Sequence, residues 1–122
     1  MNESLSILVV DDNPAMAISL ADVLKLKGFS VQTASSGEKA LAILREQPVD
    51  VLITDVIMPE MNGLELFQAT REAYPSLITW FMTAYAADEL IQQGLKEGIK
   101  TVLNKPLDMD LLILFLNATK KI

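Results

Sequence analysis

Five side chains in this sequence could do chemistry together: the carboxylates of Asp11, Asp12 and Asp55, the hydroxyl of Thr83 and the ammonium of Lys105. Each stands at or just past the end of a short apolar run. "SILVV" leads into Asp11 and Asp12, "VDVLIT" into Asp55, "LITWFM" into Thr83, and "TVL" into the stretch holding Lys105. The chain has no histidine and no cysteine. Serine–histidine and cysteine–histidine triads, histidine-ligated zinc and thiolate metal sites are therefore excluded. What remains is carboxylate, hydroxyl, lysine and metal chemistry. If the three carboxylates met within a few ångströms, each close pair would repel by about 4 kcal/mol at an effective dielectric of roughly 20. A fold tolerates that only with protons or a cation. Hard oxygen donors select Mg2+ or a similar ion such as Mn2+, which keeps several waters and accepts phosphate oxygens.

The elements that must position these groups alternate regularly. "SILVV" (6–10) is β-branched and unbroken, the pattern of a strand covered on both faces. A helix follows from Pro14, with Met16, Leu20, Val23 and Leu24 at helical spacing and Gly28 as its stop. "SVQTA" (30–34) is more polar and suits an edge strand. Ser35 and Glu38 have capping-box spacing before a second helix with Ala40, Leu41 and Leu44 inward, ended by Pro48. The third strand, 49–54, runs into Asp55. A helix from about Gly63 carries Leu66, Phe67, Thr70 and Ala73 inward and stops before Pro75. The fourth strand spans 77–82, with Trp80 as core. A helix over about 86–97 follows with Leu90, Ile91 and Leu95 inward, then a short fifth strand at 101–103. Asp108 can cap a last helix reaching about Lys120. Strands alternating with helices imply one (βα)5 domain with a parallel, doubly covered sheet and right-handed crossovers.

Open parallel sheets bind ligands outside the carboxyl ends of their strands. That edge is where Asp11, Asp12, Asp55, Thr83 and Lys105 would meet. A metal, a lysine and a hydroxyl converging on one carboxylate is what phosphoryl transfer to that carboxylate requires. Asp55 would be the nucleophile, and catalysis would consist of positioning and charge neutralisation. Composition narrows the surroundings. The chain of 122 residues is 51% hydrophobic and 21% charged, as a globular domain is. Sixteen acids against ten bases give a net charge of −6, so direct nucleic-acid binding is not expected. No apolar run approaches the ~20 residues of a membrane helix. The opening "MNESLSILVVDD" lacks the basic start of an export signal. Without cysteine, a reducing cytoplasm is the expected location.

The motifs "VVDDNP" (9–14), "DVIMPEMNGLEL" (55–66), "MTAYA" (82–86) and "NKPL" (104–107) occur in this order and spacing. On them the chain resembles the receiver domain of two-component response regulators, of the chemotaxis-regulator type, over essentially its whole length. The resemblance implies a three-layer, flavodoxin-like α/β fold with strand order 2-1-3-4-5 across residues 1–122. It implies that Asp55 accepts a phosphoryl group from a phosphohistidine on a sensor histidine kinase or phosphotransfer protein. Asp11, Asp12, Asp55 and the backbone carbonyl of Ile57 would hold Mg2+ (or Mn2+). Thr83 would hydrogen-bond the phosphoryl oxygen, Lys105 would pair with it, and the Lys105–Pro106 bond would be cis. Phosphorylation adds about −1.5 to −2 charge, and the altered surface would control an output domain or target protein. Such a domain promotes its own phosphorylation and slow dephosphorylation but is a signalling phosphoacceptor, not a turnover enzyme.

Two positions depart from the family pattern. Val102 stands where the family usually has Tyr or Phe, so coupling from Thr83 to the outer face either runs through something else, such as backbone motion of the loop at 84–88, or is weakened. Ile57 cannot orient an attacking water, which predicts slow self-dephosphorylation. The last helix, with "LLILFL" at 111–116, is apolar on more than one face. It is either deeply covered or an interface for a homodimer or an output module.

Singly, each feature has a duller explanation. Asp11-Asp12 could be a helix cap and turn, Thr83 a strand end, Lys105-Pro106 a surface turn, and Met58 and Met61 loop packing. None of these explains complementary chemistry at four strand ends. A Mg2+-dependent phosphatase of the aspartyl-phosphate type wants a second aspartate where Ile57 stands. A flavodoxin-like cofactor binder wants a Gly- or Ser/Thr-rich loop where "DDNP" stands. An adaptor that had lost phosphorylation would not need the complete set of five.

Overall fold

The computed structural model describes residues 5–85 and 88–120. Its elements alternate from β1 (Ser6–Val10) and α1 (Pro14–Leu26) through β2 (Ser30–Ala34), α2 (Gly37–Glu46), β3 (Val51–Asp55) and α3 (Gly63–Thr70). β4 (Ile78–Thr83), α4 (Glu89–Glu97), β5 (Val102–Asn104) and α5 (Met109–Lys120) complete the chain. The five strands form one parallel sheet in the order β2-β1-β3-β4-β5, the expected topology. Among the described residues no helix is long and apolar enough to cross a membrane.

Strand parity splits the core into two sides. Ile7, Val9, Val51, Ile53, Trp80 and Met82 face α1 and α5, meeting Leu20, Leu24, Leu112 and Leu116. Leu8, Val10 and Leu52 face the other way, onto Ala40, Leu44 and Leu66 of α2 and α3. Phe81 packs on that same side under Ile91 of α4. β1 and β3 are mostly apolar on both faces because both of their faces are covered. β2 is the edge strand, and its Ser30 and Gln32 are exposed.

The helix starts follow side-chain capping of otherwise unsatisfied backbone N–H groups. Asn13 caps α1, Asn62 and Glu65 form a reciprocal capping box on α3, and Asp88 caps α4. Asp108 Oδ1 accepts the Leu111 N–H at 3.1 Å, the cap anticipated for α5.

Several local expectations are corrected. Ser36, not Ser35, caps α2, while Ser35 Oγ instead accepts from Lys39 Nζ at 3.1 Å. Met16 is 51% exposed, because Ala17 and Ala21 turn the inner stripe of α1 by one position. Ala73 lies beyond the end of α3 and is exposed. α4 starts at Glu89; residues 86 and 87, where it was expected to begin, lie outside the described residues. The last helix is covered along one side and open along another. Leu112 and Leu116 are fully buried, whereas Leu111 and Leu114 are 41% and 62% exposed.

Leu95 of α4 is also exposed, at 43%, and Gly94 takes the inward position. A Cβ on Gly94 would overlap the ring of the fully buried Phe81. Close approach of α4 to the sheet therefore depends on the missing side chain. Alanine would gain about 1 kcal/mol in helix propensity, but overpacking a buried ring costs about 1–3 kcal/mol. Gly94→Ala should lower the denaturant midpoint; an unchanged or raised midpoint would show that α4 adjusts freely.

Candidate functional site

The sheet register assembles the site. Val10 pairs with Thr54, so the residues that follow, Asp11 and Asp55, leave adjacent strands side by side. Asp55 pairs with Met82, and Thr83 with Asn104, which brings the ends of β4 and β5 to the same edge. Asp11, Asp12 and Asp55 each offer a carboxylate oxygen within 4.8 Å of the others. Asp11 is buried, Asp55 half-buried and Asp12 exposed, so the cluster opens outward through Asp12. Lys105 Nζ lies 3.2 Å from Asp11 Oδ2 and 3.2 Å from Asp55 Oδ2, bridging the buried and the half-buried member.

Each group is held by backbone as well as by charge. Asp11 Oδ1 accepts the Asn13 N–H at 2.9 Å, and the Asp11 N–H donates to the Ala34 carbonyl at 3.1 Å. Asp11 thus shapes the turn before α1, while the cap of that helix is Asn13. Asp55 Oδ1 accepts the N–H of Val56 at 3.0 Å. The Lys105 N–H donates to the Thr83 carbonyl at 2.8 Å, tying the lysine to the end of β4, and the Lys105–Pro106 peptide is cis. Thr83 is buried, and its Oγ1 accepts the Tyr85 N–H at 2.9 Å. Its hydroxyl therefore stands at the strand end but is engaged with its own loop. Ile57 is 46% exposed just past Asp55, and Val102 is half-buried against the Phe81 and Ile91 cluster.

Burial pushes the Asp55 carboxyl above its ordinary value; Lys105 opposes this and Asp11 adds to it. Burial would lower Lys105, but the Asp55 and Asp11 carboxylates together hold its ammonium above its ordinary value. Both shifts describe a site with surplus negative charge, three carboxylates against one ammonium. The donors are all hard oxygens, and the chain has no nitrogen or sulfur ligand from histidine or cysteine to compete. This set fits Mg2+ or Mn2+.

Two residues at the site were not singled out from the sequence. Thr54, with no exposed surface in the middle of the sheet, donates its Oγ1 hydrogen to the Asp55 carbonyl at 2.9 Å. Gly63, read only as a helix start, abuts the same peptide: a Cβ there would lie 2.5 Å from the Asp55 carbonyl oxygen and 2.9 Å from Val56 Cα. The polar residue within an otherwise apolar strand was the available signal for Thr54. For Gly63 the close approach is a tertiary fact with no local signature.

A model of the response regulator receiver domain family matches residues 7–117. The chain is 43% identical over 110 residues to the sensor protein EvgS of Escherichia coli, covering 90% of this chain and 9% of that protein. It is 34% identical over 116 residues to the probable transcriptional regulatory protein TcrX of Mycobacterium tuberculosis, covering 95% of this chain and 50% of that protein. It thus spans half or less of the length of these relatives. Among solved structures, a response regulator receiver domain protein from Clostridium thermocellum superposes with a TM-score of 0.88 at 28% identity, covering 95% of this chain and 94% of the other. A chemotaxis protein of Vibrio cholerae superposes with a TM-score of 0.88 at 30% identity, covering 96% and 99%. The acidic sheet edge and these likenesses agree: the chain belongs to the receiver domain family of two-component response regulators.

Proposed function

We propose that residues 1–122 act as one receiver domain in which Asp55 accepts a phosphoryl group from a phosphohistidine of a sensor histidine kinase or phosphotransfer protein. The observation that carries this reading is Lys105 Nζ bridging Asp11 and Asp55 at 3.2 Å within the acidic cluster. An Asp55 oxygen attacks phosphorus, the phosphorus–nitrogen bond to the histidine breaks, and the imidazole departs with its electron pair. Asp11, Asp12, Asp55 and the Ile57 carbonyl would hold Mg2+ or Mn2+, which neutralises charge developing on the equatorial oxygens. Lys105 supplies a fixed positive charge to the same oxygens. No general base is needed, because a carboxylate attacks in its ionised form and has no proton to lose.

Thr83 is the switch. To reach a phosphoryl oxygen its hydroxyl turns away from the Tyr85 N–H and so releases the segment leading to α4. Val102 cannot swing as an aromatic ring does, so the response passes through that backbone. The exposed Leu111 and Leu114, with Val102 nearby on β5, support a face for an output module or a second copy of the chain. The chain itself neither binds nucleic acid nor enters a membrane, and it works in the cytoplasm.

Incubation with Mg2+ and acetyl phosphate, followed by intact-mass measurement, should show one phosphoryl adduct that is absent with chelator and absent in Asp55→Asn. An adduct persisting in Asp55→Asn would overturn the reading. Ile57→Asn offers the attacking water a hydrogen bond worth about 0.5–1.5 kcal/mol, which shortens the phosphate lifetime roughly two- to tenfold. A lifetime no shorter than the parent's would contradict this role of Ile57. Stability supplies a third test. Because the Asp55 carboxyl is raised in the fold, its contribution is favourable at acid pH and is lost as pH rises through the folded value. Without divalent cation, Asp55→Asn should therefore melt above the parent at neutral pH, with the gap closing on acidification toward about pH 4. A lower melting point for Asp55→Asn at neutral pH would show that the Lys105 contact outweighs burial.

A further inference from the structure

The Asp55–Val56 peptide is held from both of its ends. Its carbonyl oxygen accepts the Thr54 hydroxyl at 2.9 Å, and its N–H donates to Asp55 Oδ1 at 3.0 Å. The same carbonyl is backed by Gly63, whose N–H donates to the Val56 carbonyl at 2.8 Å and whose Cα leaves no room for a side chain. Rotating this peptide would turn the N–H that grips Oδ1. It would thereby turn the carboxylate plane whose other oxygen, Oδ2, faces Lys105. Thr54 lies between Val10 and Phe81 in the sheet, fully buried, where a valine would fill the space without a polar group. Its hydroxyl has no role in packing and one polar contact in the described structure, to the Asp55 carbonyl.

We propose that Thr54 is a positioning residue for phosphoryl transfer: its buried hydroxyl, working against the Gly63 backbone, sets the Asp55–Val56 peptide and so aims the Asp55 carboxylate. This rests on Asp55 as the phosphoacceptor. The chemical class of substrate is unchanged, but the rate of its reaction depends on a group that never touches it. A threonine at this position also acts locally, through its hydroxyl rather than through its size. The size and hydroxyl roles separate cleanly by substitution. Thr54→Val keeps the volume and removes the hydrogen bond, and Thr54→Ser keeps the hydrogen bond and removes a methyl group.

The experiment compares both variants with the parent in three readouts: the rate of phosphorylation by acetyl phosphate with Mg2+, the melting temperature, and hydrogen exchange at the Val56 amide without phosphate donor. Loss of one neutral hydrogen bond predicts that Thr54→Val is phosphorylated roughly three- to tenfold more slowly and exchanges its Val56 amide faster by a similar factor. Its melting temperature should fall no further than that of Thr54→Ser. Thr54→Ser should melt lower yet keep the parent's phosphorylation rate and Val56 protection. A purely structural role would make rate follow stability, the opposite order. A Thr54→Val rate equal to the parent's overturns the proposal. If the parent takes up no phosphate, the phosphoacceptor reading falls, and Val56 exchange still decides the positioning. Faster exchange in Thr54→Val but not in Thr54→Ser supports the hold on the Asp55 peptide, and equal exchange in all three refutes it.

Discussion

Three carboxylates converging on one ammonium govern this molecule. Repulsion among Asp11, Asp12 and Asp55 works against folding, and Lys105 offsets only part of it from its place between Asp11 and Asp55. The rest of the structure can be seen as the apparatus that keeps these charges together. Fully buried runs in β1 and β3 leave no slack in the register that sets Asp11 beside Asp55. The bond from the Lys105 N–H to the Thr83 carbonyl brings the lysine in from a strand of only three residues. The surplus negative charge left at that edge suits the site to a hard divalent cation, as the proposed phosphoryl transfer requires.

The same arrangement gives the proposed reaction a route from the acidic edge toward α4. β4 carries Phe81 under α4 and ends in Thr83 at the acidic edge. α4 rests on Phe81 through Gly94 and the fully buried Ile91. On its outer side α4 is tied to α3 by Glu97, which accepts from Arg71 at 2.8 Å and from Gln68 at 3.0 Å. These are exposed bonds of small net worth. α4 has no strand neighbours to pair with, whereas β1 and β3 are each paired along both edges in the sheet. Val102, half-buried against the Phe81 and Ile91 cluster, has no ring whose rotamer could change.

The layout of the site was legible in the sequence because the fold follows from alternation and because parallel sheets put their strand ends on one edge. Asp11, Asp55, Thr83 and Lys105 needed no knowledge of contacts, only of where apolar runs stop. The errors came where periodicity alone was asked to choose a helix face. Met16 and Leu95 are large and apolar but point outward, while the small Ala17, Ala21 and Gly94 point in, because the space between helix and sheet is set by what lies beneath. Ala73 failed for another reason: α3 ends at Thr70, before the proline that was taken to stop it. Thr54 and Gly63 escaped notice because their meaning lies in an interaction with the Asp55 peptide, which neither spacing nor hydropathy encodes.

The central claim is that the phosphoryl group resides on Asp55 and nowhere else. Borohydride reduces an acyl phosphate to an alcohol, so trapping the phosphorylated protein and mapping its peptides locates the modified residue directly. The account predicts homoserine at position 55 alone, formed only when divalent cation was present during phosphorylation. Reduction at Asp11 or Asp12, or an adduct on Thr83 that resists borohydride, would contradict it.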